Sequence, residues 1–175
     1  MNFDSNLENI FLITPALELY TANIFKVPSK NTVIDQTKNL LIANLVTFGV
    51  SELLKQSTNE LRPDGSDYLS FPSGHTANAF VMATVLHHEY IDSSPWLAYS
   101  GYAFSTATAV FRVLNNKHYV SDVLVGAGIG IAITELTYAF KPLQNWHPFN
   151  NEKRNVFIAP SYNSKAFVMT GVITF

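Results

Sequence analysis

The chain contains no cysteine, so neither a disulfide framework nor thiol chemistry is open to it. Charge is scarce as well: 14% of residues are charged, against roughly 25% in ordinary soluble domains. No excess of positive charge exists. The formal net charge of −2 excludes the basic footprint of a nucleic-acid-binding domain. No H-x-x-x-H or H-E-x-x-H ligand set occurs, so neither a metal nor a cofactor is assigned. Long hydrophobic runs are also missing. Val123 to Thr134 is apolar for only 12 residues, and Ser93 to Phe111 is uncharged for 19 but holds Pro95 and many hydroxyls. A membrane span needs roughly 20 predominantly apolar residues, so a soluble or peripheral helical domain is expected. Met1-Asn2-Phe3-Asp4 is acidic where a secretory signal is basic. Either the protein is not secreted or a signal has been removed.

What is abundant is apolar surface. Hydrophobic residues make up 47% of 175, enough for one domain with a sizeable core. The pattern predicts an all-α fold, a compact bundle of five to six helices over residues 1–150. A first helix runs from about Leu7, with Pro15 breaking or kinking it. Val27 to Asn31 is a linker, and Asn31 or Thr32 caps the next helix. From Val33 to about Ser57 the positions Leu40, Leu41, Leu45, Phe48 and Leu53 recur at mixed spacing, which argues a mostly buried helix. A third helix spans about His75 to Tyr90. A fourth starts at Pro95, which suits a first helical turn. A fifth extends from near His118 to about Phe140. Its Gly126, Gly128 and Gly130 are costly in a helix unless another helix crosses closely there. Residues 151–175 change period to a β type, with turn residues at Ser161–Lys165. They read as a short C-terminal β-hairpin packed on the helices.

Chemistry concentrates around Phe71-Pro72-Ser73-Gly74-His75. Ser73 is a good N-cap. The helix it starts presents free N–H groups to an anion. Gly74 lets an oxyanion approach the backbone, and His75 stands beside it with a titratable proton. Upstream lie Lys55 and Arg62-Pro63. Downstream lie Arg112, His118 and Asp122. Two of the three arginines thus sit near this turn. Each cation alone is ordinarily a solvated surface charge. Three of them around a Ser-Gly-His turn form an anion site of high charge. On a helix, His118 and Asp122 share one face, four residues apart; such pairs are also common by chance. His87, His88 and His147 read as surface or structural.

The order Lys, six residues, Arg-Pro; then Pro-Ser-Gly-His; then Arg, five residues, His, three residues, Asp resembles the three-part signature of the type 2 phosphatidic acid phosphatase superfamily. That superfamily includes bacterial acid phosphatases, lipid phosphate phosphatases and vanadium haloperoxidases. The likeness runs from Lys55 to Asp122. One position departs from it, Phe111, where the family usually has serine. The resemblance implies a metal-independent phosphatase acting on phosphate monoesters or pyrophosphates, with a lipid phosphate, a polyprenyl pyrophosphate or a soluble ester as substrate. It implies His118 as the nucleophile that becomes phosphorylated, Asp122 as its orienting partner and His75 as the acid. Lys55, Arg62, Ser73, Gly74 and Arg112 would bind the phosphate. It also implies a periplasmic or membrane-associated location with peripheral membrane contact. Two other readings stand beside it: a vanadate-dependent haloperoxidase on the same site, and a non-catalytic anion-binding or membrane-associated protein.

Overall fold

Start and stop signals in the sequence set most helix ends. The computed structural model describes residues 5–147, 155–163 and 166–174. The chain divides into two units, Met1–Asn145 and Trp146–Phe175. The first holds α1 (Ser5–Ile24), α2 (Val33–Thr58), α3 (Gly74–Tyr90), α4 (Pro95–Leu114), α5 (Val120–Ala139) and the single turn α6 (Lys141–Gln144). Thr32 caps α2 by accepting from the Asp35 N–H at 3.3 Å. Asn59 closes α2 in the left-handed region at φ 51°, its N–H donating to the Lys55 carbonyl. Ser73 caps α3, and Pro95 occupies the first turn of α4.

The second unit carries β1 (Asn155–Asn163) and β2 (Ala166–Thr174), paired antiparallel with Asn155 opposite Thr174 and Asn163 opposite Ala166. The expected packing of this tail on the helices depends on side chains outside the described residues.

Two expectations are corrected. Pro15 does not end the first helix; α1 runs through it, with Pro15 buried among its neighbours. Thr14 sits one residue earlier and turns its hydroxyl back to the Ile10 carbonyl at 2.7 Å. Packing overrides the local helix-breaking tendency, as it does where a proline helix is embedded among others. The second correction concerns the fifth helix. As formed, α5 is 20 residues long and apolar enough to cross a membrane. Reading only charge-free runs hid this, because Asp122 and Glu135 bracket the apolar stretch.

α3 is the central helix and touches α1, α2, α4 and α5. It packs through small residues, with Ala77, Ala79 and Ala83 fully buried. α2 behaves differently from the buried helix the spacing suggested. Leu40 is buried, but Leu45 is 69% and Leu53 is 70% exposed, and Leu41 and Phe48 are exposed with them. The face turned inward is polar: Gln36, Asn39, Thr47 and Ser51 are buried there with Ala43. The apolar stripe exists, but it faces outward.

At the end of α3 remote from Ser73, buried polar groups tie the helices together. Glu89 accepts from the Asn31 N–H at 2.9 Å, from Asn31 Nδ2 at 2.8 Å and from the Tyr138 hydroxyl at 2.6 Å. Lys38 joins Asp35 at 2.9 Å and donates to the Leu143 carbonyl at 3.1 Å, pinning α6 to α2. His88 belongs here, stacked on Tyr138 with ring centres 4.2 Å apart and bonded to Glu135 at 3.0 Å.

Only two of the three α5 glycines sit in a close crossing. A Cβ on Gly126 would lie 2.6 Å from the Ser73 carbonyl oxygen, and one on Gly130 would strike the Ala77 carbonyl oxygen. Gly128 faces open space. Gly126→Ala and Gly130→Ala are therefore expected to destabilise the bundle by about 1–3 kcal/mol through overpacking. Gly128→Ala is expected to stabilise it by up to ~1 kcal/mol through helix propensity. Thermal melts of the three variants check this; equal behaviour would show that α3 and α5 do not cross as described.

Candidate active site

The site forms where the C-terminal end of α2, the N-terminus of α3 and the α4–α5 connection meet. Lys55 stands in the last turn of α2. The loop after it closes on itself, with the Arg62 N–H donating to the Asp67 carbonyl and the Ser70 N–H to the Glu60 carbonyl. That closure aims the Arg62 side chain. Its Nε donates to Asp67 Oδ1 at 2.7 Å, its Nη2 to the Leu69 carbonyl at 3.4 Å and its Nη1 to the Lys117 carbonyl at 3.2 Å. A second loop acid, Asp64, takes the Lys117 ammonium at 2.6 Å. The hydrogen bond from Arg62 is the main reason the Asp67 carboxyl lies below its usual range.

His118 does not sit on α5. It precedes the cap residue Tyr119, so the expected one-face helical pair is not how it meets Asp122. Asp122 instead turns back from the first turn of α5, and Oδ2 accepts from the Tyr119 N–H at 3.0 Å. The same oxygen lies 3.3 Å from His118 Nδ1. On its other side, His118 Nε2 is 3.2 Å from Arg62 Nη1. A guanidinium only donates, so Nε2 accepts, and the ring proton belongs on Nδ1, facing Asp122. His118 is thereby held in one tautomer with its Nε2 lone pair directed at the cation.

Charge and burial agree with this. His118 is 2% exposed. Its pKa is pushed down to about 4, first by burial and then by the positive charges of Arg112 and Arg62, with Asp122 opposing. Arg112 also shapes the turn, its carbonyl accepting from the Lys117 N–H at 3.0 Å and the His118 N–H at 3.3 Å.

Ser73 joins the two halves of the site. Its N–H donates to the Asp122 carbonyl at 3.1 Å, and its hydroxyl is engaged with Thr76 Oγ1 at 2.9 Å. Gly74 and His75 follow at the start of α3, and with Lys55 they line a cavity of about 220 Å³. A Cβ on Gly74 would stand 3.5 Å from Lys55 Nζ, so the absent side chain leaves that ammonium room beside the helix terminus. Lys55 itself bonds Glu52 at 3.0 Å. The structure thus brings Arg62, Arg112, His118, Asp122 and Ser73 into one cluster, with Lys55, Gly74 and His75 on the adjoining cavity. Phe111, in place of the usual serine, stacks on Phe11 with ring centres 5.5 Å apart. It is part of the α1–α4 packing.

One residue was not visible in the sequence reading. Ser70 is fully buried and donates to Asp122 Oδ2 at 2.6 Å. No spacing rule marks it, because the contact joins residues 52 apart. Its only sequence signal is its place just before the Phe-Pro-Ser-Gly-His turn.

The PAP2 superfamily matches residues 36–146. A lipid A 1-phosphatase from Porphyromonas gingivalis is 37% identical over 143 residues, covering 78% of this chain and 31% of the relative. A non-specific acid phosphatase from Salmonella typhi is 35% identical over 85 residues, covering 49% of this chain and 31% of the relative. The chain therefore spans about a third of the length of these two curated relatives. Among solved structures, Aquifex aeolicus LpxE superposes with a TM-score of 0.58 at 25% identity, covering 79% of this chain and 88% of that one.

The hydrogen-bond pattern around Asp122 sets the titration of His118. In wild-type protein the His118 ring is expected to titrate near pH 4 by NMR. Ser70→Ala removes a donor that stabilises the Asp122 charge, so the carboxylate pulls harder on His118. The midpoint should rise by about one unit, the order of one charged hydrogen bond. Asp122→Asn removes the opposing charge and should lower it. Movement of both variants in the same direction would contradict the pattern.

Proposed function

The chain belongs to the PAP2 superfamily, and from that premise we propose that it is a metal-independent phosphatase working through a phosphohistidine on His118. One observation carries the reading. His118 is buried and uncharged, its Nδ1 proton facing Asp122 and its Nε2 lone pair facing Arg62. That is the form of imidazole able to attack phosphorus. A substrate phosphate would take over Arg62 and bring its phosphorus before Nε2.

In the first half-reaction Nε2 forms a bond to phosphorus while the ester P–O bond breaks. His75, exposed on the cavity side, gives a proton to the departing oxygen. In the second, His75 takes a proton from water as the water oxygen attacks phosphorus and the P–N bond breaks. The products are an alcohol and inorganic phosphate. Lys55, Arg62 and Arg112 neutralise the phosphoryl oxygens, with the N–H groups at Ser73 and Gly74 as neutral donors. These side-chain cations do the work that a divalent ion does in many phosphoryl-transfer sites. Asp122 stabilises the imidazole as it gains positive character.

The substrate class is proposed to be a lipid phosphate, with the bundle seated in a membrane. Support comes from α5, long and apolar enough to cross one, and from α2, whose polar face is buried while its leucines point outward. A polar interior behind an apolar exterior suits a lipid surround. The names of the relatives, a lipid A 1-phosphatase and a lipid phosphate phosphatase, point the same way.

Phosphate release from a lipid phosphate in detergent micelles should survive EDTA and fall with orthovanadate, which takes the transition-state geometry. Protonation removes the Nε2 lone pair. A pKa of about 4 keeps His118 competent above that pH, so its acid limb in kcat/KM should lie near pH 4 rather than near 6.5. His118→Ala should abolish turnover of every ester. His75→Ala should cost ~10²–10⁴-fold on alkyl phosphates and much less on nitrophenyl phosphate, whose leaving group needs no proton. Activity lost to chelation and restored by a divalent ion would overturn the mechanism.

A further inference from the structure

The cavity beside Gly74 is larger than a phosphoryl group requires. It measures about 220 Å³ and lies among α1, α2 and α3. Lys55, Gly74 and His75 form the wall it shares with the phosphate site. The rest is Leu12, Phe48, Ser51, Glu52 and Asn78. His118 and Asp122 are not among its walls. In an in-line displacement the attacking and leaving atoms stand on opposite sides of phosphorus. A void walled by the proposed acid, but not by the proposed nucleophile, is therefore on the leaving-group side.

Two features show that this wall is made for a polar ligand. Ser51 is 2% exposed, and its Oγ has no hydrogen-bond partner among the described residues. A helical serine ordinarily returns its hydroxyl to the carbonyl one turn back, and Thr58 on the same helix does so. Ser51 does not, which leaves a buried donor unspent beside the void. The second feature is Glu52. A carboxylate beside a phosphate site repels the substrate and is unfavourable there unless it serves the ligand. Lys55 balances its charge at 3.0 Å through Oε1. The ligand therefore need not be a cation; what Glu52 offers is acceptor capacity. Asn78 adds both a donor and an acceptor. A hydroxyl is the group that both gives and takes a hydrogen bond, and Leu12 and Phe48 can cover the apolar face of a ring that carries several.

We propose that this cavity is the leaving-group subsite, and that Ser51, Glu52 and Asn78 select phosphate esters whose alcohol carries further hydroxyls, a polyol or a single sugar ring. The volume falls below the ~300 Å³ at which drug-sized ligands begin, consistent with one ring. The inference rests on the phosphatase reading and deepens it by naming what the phosphate is attached to.

The test compares two phosphate monoesters of equal carbon number, a hexose 1-phosphate and n-hexyl phosphate, with the full chain in detergent micelles. Wild-type kcat/KM is expected to favour the hexose ester. Glu52→Gln and Ser51→Ala should each shrink that preference by roughly tenfold, the scale of one lost hydrogen bond to a polar substrate. The preference is a ratio and does not depend on the fraction of folded protein, so a destabilised variant still decides the matter. A wild type indifferent to the two esters, or a preference unchanged in both variants, overturns the subsite. A wild type that hydrolyses neither ester nor nitrophenyl phosphate fails earlier: the phosphatase reading falls, and the subsite with it.

Discussion

A single buried carboxylate holds the site together. Asp122 is fully buried, and its side chain accepts from Ser70, from the Tyr119 N–H and from Ser121, with His118 Nδ1 beside it. Its backbone carbonyl accepts from the Ser73 N–H. The loop before α3, the start of α3 and the start of α5 therefore all register on one residue. A buried charge with this many partners is costly to disturb, about 3–5 kcal/mol when a partner is removed. The rigidity has a chemical consequence. With Asp122 fixed, the Nδ1 proton of His118 has one place to point, and Nε2 is left for Arg62 or whatever replaces it.

The helices around this centre are arranged for two solvents. Inside the bundle run Gln36, Asn39, Thr47 and Ser51 of α2, Thr76 and Thr84 of α3, and Thr134 of α5, all buried. Outside stand Leu45, Phe48, Leu53, Leu124 and Leu136. Tight α3–α5 contact at Gly126 and Gly130 supplies van der Waals packing that does not depend on water. The cations and histidines gather where α2 ends and α3 and α5 begin. A headgroup and a helix exterior can then each meet a matching environment.

The legible parts of the fold were local. Thr32, Ser73 and Pro95 announced their helices because capping and first-turn geometry involve only near neighbours. The site was legible for a different reason: the order and spacing of Lys55, Arg62, Ser73, His75, Arg112, His118 and Asp122 match a family signature. Spacing alone would have left His118 and Asp122 as a chance helical pair, and the geometry that joins them is a helix-cap arrangement. Ser70 carried no signal because its role exists only in the tertiary contact. Pro15 misled because a local breaking tendency gave way to packing. In α2 the period was readable but not its sense, since a stripe of leucines looks the same facing a core or a membrane.

The identity of the attacking group is the point on which everything else turns, and a rapid-quench experiment measures it directly. Protein is mixed with a phosphate ester labelled at phosphorus, stopped within one turnover and mapped by mass spectrometry. The expected result is an acid-labile, base-stable phosphoryl group on His118, formed at least as fast as product appears and absent from His118→Ala. Label on His75, or turnover with no protein-bound phosphoryl group at any time, would contradict it.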